Sequence, residues 1–66
     1  RSVNMLDNAV KTADLCLQLD ADNTDALLIK GLALVGLKKK PEAMECLQRV
    51  KTLGDQRADE YIKKYK

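Results

Sequence analysis

The chain has 66 residues, with 12 basic and 10 acidic side chains, a net charge of +2, and no histidine, tryptophan or phenylalanine. A core this small leaves only a few kcal/mol of net stability, so the length suits one small domain or one segment of a repeat array. The missing histidine removes the usual base of a nucleophilic triad and the commonest zinc ligand, and no apolar run reaches the roughly 18 residues of a membrane span.

The charge is unevenly placed. Residues 1–33 carry three basic and five acidic side chains, net −2, whereas residues 34–66 carry nine and five, net +4. The basic excess is modest and two tyrosines offer no stacking platform, which argues against nucleic-acid binding. Nothing from Arg1 onward has the layout of a signal peptide. Cys16 and Cys46 both fall on apolar helix faces with nothing to pair them. They read as buried free thiols and predict a reducing, intracellular and cytoplasmic setting, with an organelle left open.

Taken in order, residues 3–19 predict the first helix, because Val3, Leu6, Val10, Ala13 and Leu17 recur at steps of three and four. Ala9, Cys16 and Leu19 widen that stripe. Residues 20–23 form a polar turn in which Asn23 or Thr24 can cap the next helix. Residues 24–37 are apolar nearly all round, with Lys30 the only charge after Asp25. A helix of that kind has to be surrounded by others. Lys38, Lys39 and Lys40 make a charged turn at its negative end. Pro41 suits the first turn of a third helix, residues 41–53, since its missing N–H has no helical partner there. Gly54 stops that helix and Asp55 caps a fourth over 56–64, amphipathic through Ala58, Tyr61, Ile62 and Tyr65. Connections this short make successive helices antiparallel neighbours. The expected fold is therefore all-α.

The chain also aligns with itself at a shift of 34 residues (43 − 9), which places Ala9 on Ala43, Val10 on Met44, Cys16 on Val50 and Leu28 on Ile62. Apolar falls on apolar at nearly every core position, and a period of about 34 points to a helix–turn–helix repeat. With Leu27, Lys30-Gly31 and Leu34 on one helix, Glu42-Ala43 and Leu47 on the next and Asp55 just beyond it, the chain resembles the tetratricopeptide repeat family. It departs from the family pattern where Lys30 replaces leucine, Leu27 the aromatic and Asp55 the proline. The resemblance implies a partial repeat over 1–23, a complete repeat over 24–57 and a terminal helix over 58–66, stacked as an α–α superhelix segment. Gly31 and Ala43 are then the small residues of a close helix crossing. Tyr65 stands where a second such glycine belongs, which suits a helix that caps the stack.

Sites of chemistry are scarce. Asp20, Asp22, Thr24 and Asp25 briefly resemble a calcium loop, but its sixth and twelfth places hold Asp25 and Gly31 instead of glycine and glutamate. Two cysteines thirty residues apart (46 − 16) cannot make a zinc site by themselves. Glu42 and Glu45 share a helix face that solvation accounts for. Neither catalysis nor a cofactor is expected. The family resemblance implies instead a concave groove lined by the first helix of each repeat. In this chain its candidates are Asp25, Leu28, Ile29, Leu32 and Val35. None is the asparagine or basic residue by which some family members grip C-terminal carboxylates, and only Lys63 has suitable charge. The groove is apolar. Leu28, Ile29 and Leu32 read either as core covered by neighbouring helices or as the seat of an apolar or amphipathic partner segment. Leu27 and Leu34 read as the side packed on the third helix. The expected function is a non-catalytic protein-binding adaptor or scaffold without nucleic-acid or membrane partners. The alternatives are a self-assembling unit whose groove closes on another copy, or an appendage of a larger chaperone or enzyme machine.

Overall fold

Four helices account for nearly all of the computed structural model, which describes the backbone of residues 2–65 and the side chains of residues 5–65. They are α1 (Ser2–Leu19), α2 (Thr24–Gly36), α3 (Lys40–Thr52) and α4 (Arg57–Tyr65), with no strand among the described residues. The boundaries fall within one residue of those the periodicity predicts. Val3 lies outside the residues whose side chains are described, and Lys66, which the expected terminal helix over 58–66 includes, lies outside the described residues altogether.

Side chains and backbone geometry explain where each helix stops. Ala26 N–H donates to Asn23 Oδ1 at 3.1 Å, so Asn23 is the cap of α2. Asp55 Oδ1 accepts from Arg57 N–H at 3.0 Å ahead of α4. Pro41 sits in the first turn of α3. The ends of α2 and α3 share one hydrogen-bond pattern. Lys38 N–H donates to Val35 O and Lys39 N–H to Leu34 O, and Gly54 N–H and Asp55 N–H likewise reach Lys51 O and Val50 O. This is the Schellman arrangement, which needs one residue of positive φ just beyond the helix. Gly54 fills that place at φ 94°, and Lys38 fills the other at φ 63°.

Each helix packs against its neighbours in sequence. Leu6 lies against Gly36 and Asp14 pairs with Lys30, so α1 and α2 run antiparallel. Gly31 lies against Leu47 and Ala43, while Asp22 pairs with Arg49 beyond the other end of α2, so α2 and α3 do the same. The Lys51–Asp59 pair bridges the close of α3 and the start of α4.

The core is centred on α3, where Ala43, Leu47 and Val50 are fully buried. Leu27 and Leu28 of α2 and Ala58 and Ile62 of α4 close around Leu47 and Val50, with Leu17, Met44 and Tyr61 at the edge. A Cβ built on Gly31 would stand 3.3 Å from Leu47 Cδ2 and 3.4 Å from the Ala43 carbonyl oxygen. The crossing of α2 and α3 is thus close enough to need a small residue, as Gly31 and Ala43 predict. At Gly36 a Cβ would come within 2.7 Å of Leu6 Cδ1, a second tight approach that the sequence pattern does not reveal.

The two thiols depart from expectation. Cys16 is exposed and Cys46 half-buried. Residues 9, 13 and 16 share a helix face, but α2 covers only the Ala13 edge of it. Burial raises the Cys46 thiol pKa above its ordinary value, an effect that nearby Lys30 partly opposes.

Candidate functional site

Four of the five groove candidates meet in one place. Asp25, Leu28, Ile29 and Leu32 of α2 line a trough of about 430 Å³, together with Arg57 and Tyr61 of α4. The trough exists because α2 and α4 both pack against α3 and leave a furrow between them. The fifth candidate, Val35, is half-buried and lies outside the lining.

The members of this wall differ in depth. Leu28 is only 5% exposed and belongs to the core with Ala58 and Ile62, so it is the floor of the trough and part of the fold. Of the two readings open for Leu28, core and partner seat, its burial fits the core: α4 arrives on the flank that α3 leaves open. Leu27 and Leu34 are buried, as their side of the helix predicts. Ile29 is 51% exposed and forms the rim, and Leu32 and Tyr61 are half-buried.

One end of the trough is charged. The Arg57 guanidinium donates from Nη2 to Asp25 Oδ1 at 2.7 Å and to Asp55 Oδ2 at 2.6 Å, and its Nε reaches both Asp55 oxygens at 3.0 and 3.1 Å. The beginnings of α2 and α4 are therefore tied together across the trough, with acidic side chains in the first turns, where the helix dipole favours them. These bonds from Arg57 hold the Asp55 carboxyl well below the ordinary carboxylate range, with its backbone N–H and the Thr24 hydroxyl assisting. They raise the guanidinium pKa in turn. Sequence reading missed Arg57 and Tyr61 as groove residues, although the shift of 34 residues already places Tyr61 on Leu27 and so on the same kind of helix.

Lys30, the lone charge of the apolar helix, points the other way. It pairs with Asp14 of α1 at 2.7 Å, and that hydrogen bond raises its pKa against the opposing effect of burial. Asp20 and Asn23 accept backbone bonds within their own turn, and Asp22 pairs with Arg49 at 3.1 Å. Lys63, whose charge would suit a carboxylate grip, is exposed on α4 and does not line the trough. Among the described residues no cluster of three or more acidic, cysteine or histidine side chains could hold a metal ion, and no helix is long and apolar enough to cross a membrane.

Comparison with protein-family models, curated proteins and solved structures finds no match to the chain.

Proposed function

We propose that the chain is a non-catalytic protein-interaction module, a tetratricopeptide-like pair of helical hairpins that receives an amphipathic segment of another protein in the α2–α4 trough. The observation that carries this reading is the trough itself: an apolar floor at Leu28, an apolar rim at Ile29 and Leu32, and a charged end at Asp25 and Arg57. The internal shift of 34 residues supports the repeat, because it carries α1 onto α3 and the start of α2 onto the start of α4. An occupant with apolar side chains along one edge and a polar group at one end matches the wall by chemistry. Apolar contact supplies the affinity and the Asp25–Arg57 end fixes direction.

The test uses a randomised peptide library selected on the wild-type chain. Enriched peptides should be apolar along one face and should bind Leu32→Asp or Tyr61→Ala at least about tenfold more weakly, with helicity retained. Enriched peptides that bind these variants as tightly as wild type would refute the assignment of the trough, as would selection that enriches nothing.

A further inference from the structure

Asp25 stands between two hollows. On one flank of α2 it closes the end of the α2–α4 trough with Arg57. On the other it borders an open hollow of about 350 Å³ between α1 and α2. Ile29, about one turn further along α2, lines both as well. The two hollows are therefore one concave surface, crossed by a ridge of Asp25 and Ile29. Small side chains wall the α1–α2 hollow, Ala9, Ala13 and Ala26 among them, beside the neutral polar groups of Asn8 and Thr12. Among the described residues that line it, Asp25 alone is charged.

The charge of Asp25 is not used up within the chain. Arg57 makes three side-chain bonds to Asp55, at 2.6, 3.0 and 3.1 Å, and one to Asp25 Oδ1 at 2.7 Å. Two carboxylates thus share one guanidinium, which leaves this end of the trough with one negative charge in excess. Asp55 is the inner partner, its side chain 17% exposed, and Asp25 the outer one at 72%. Among the described residues only Arg57 pairs with Asp25, through Oδ1, so Oδ2 is open. Three other cations are engaged elsewhere: Lys30 with Asp14, Arg49 with Asp22 and Lys51 with Asp59. The positive ends of the α2 and α4 dipoles are met by their caps, Asn23 and Asp55.

We propose that the occupant of the trough carries a lysine or arginine that crosses the ridge between Asp25 and Ile29, lays its stem in the α1–α2 hollow and sets its charged head on Asp25 Oδ2. This rests on the trough reading above and adds to it the charge that the site selects. An apolar wall with one open carboxylate suits such a side chain, whose stem is apolar and whose head alone is charged. The Asn8 amide oxygen and the Thr12 hydroxyl stand on the same wall to accept the remaining N–H groups of the head. An acidic residue in its place would meet two carboxylates for one guanidinium. The surface therefore reads charge as well as apolar spacing, and a segment with Lys or Arg at the Asp25 end of its apolar edge binds more tightly than the same segment with Glu.

The probe is a randomised peptide library selected on the wild-type chain at about 50 mM salt, where surface charges are weakly screened. Enriched peptides should carry Lys or Arg at one end of the apolar stretch at least about fivefold more often than Asp or Glu. For the tightest of them, Asp25→Asn should weaken binding about fivefold with circular dichroism unchanged. Replacing the peptide's Lys or Arg by Gln should cost the same factor on the wild type and nothing further on Asp25→Asn, a coupling that net charge alone does not produce. Glu42→Gln, an equal change of charge at an exposed site on α3, should leave binding as it is. The outcomes separate the two readings. Peptides that Leu32→Asp weakens but Asp25→Asn does not, peptides that Glu42→Gln weakens as much as Asp25→Asn, or enrichment of Asp and Glu would each overturn the cation and leave the trough standing. Peptides indifferent to Leu32→Asp, or no enrichment at all, would remove the trough and the cation with it.

Discussion

Replacing Gly31 by leucine tests the helix crossing on which the fold depends. A Cβ at this position meets Leu47 Cδ2 and Cγ at 3.3 Å and the Ala43 carbonyl oxygen at 3.4 Å. Neither neighbour can give way easily: Leu47 is fully buried, and the oxygen belongs to the backbone of α3. The three carbons beyond Cβ have to force α2 away from α3. Overpacking of this kind costs about 1–3 kcal/mol, and separating two helices of the core belongs at the upper end. Against it stands a gain of about 1 kcal/mol in helix propensity when glycine is replaced. The expected net loss is about 2 kcal/mol, a large part of what so small a domain holds. Lys39→Leu is the comparison, an exposed site in the turn where a change should stay within about half a kcal/mol. Urea denaturation followed by circular dichroism reads both, with midpoint and slope fitted separately. Equal midpoints for Gly31→Leu and Lys39→Leu would refute a close crossing of α2 and α3.

Leu28→Asp should unfold the chain as completely as Leu27→Asp, since both bury an unpaired charge, whereas Leu32→Asp at the rim should keep its far-ultraviolet spectrum; a folded Leu28→Asp would remove Leu28 from the core. The two Schellman turns should respond with opposite signs. Gly54→Ala should lower stability by about 1 kcal/mol, although a Cβ there meets nothing within 4 Å, because φ is positive, and Lys38→Gly should raise it by a few tenths of a kcal/mol, because relief of the left-handed strain exceeds the entropy that glycine adds to the unfolded chain. The low pKa of Asp55 fixes the sign of an acid effect. Its carboxylate contributes stability that is fully present above the unfolded value of about 3.9 and is lost as pH falls below it, so Asp55→Asn should flatten the acid limb of a melting-temperature profile; an unchanged limb would show that the Arg57 contact does not hold in solution.

The helix ends were legible because they rest on local chemistry. Asn23 caps, Pro41 opens and Gly54 closes with bonds that span only a few residues. Lys38 was not legible as the left-handed residue of its turn, since nothing about lysine favours that conformation and the Schellman bonds to Val35 and Leu34 that require it are seen only in the structure. Burial was legible only as far as periodicity reaches. Spacing says that Ala9, Ala13 and Cys16 share a face, but which edge of that face a neighbour covers depends on where α2 crosses. The structure leaves Cys16 exposed for that reason.

The candidate groove shows the same boundary between local and long-range information. A helix apolar nearly all round must be enclosed, and α2 is enclosed by α1 on one side, α3 on the second and α4 on the third. What remains open is the strip carrying Asp25, Ile29 and part of Leu32. Helical spacing alone puts Asp25, Leu28, Ile29 and Leu32 near one another. It does not show that α4 takes Leu28 into the core, because that depends on Ala58 and Ile62 packing beside Val50. Nor does it show Arg57, which reaches Asp25 across 32 residues of sequence. Both follow from the way α2 and α4 pack on α3. A shift of 34 residues carries α2 onto α4, so the two helices lean on α3 in succession, begin at the same end and face each other across a furrow. Asp25 and Arg57 meet there because both stand in the first turn of their helices, one acidic and one basic. The trough is what two similar helices leave when one partner holds them both.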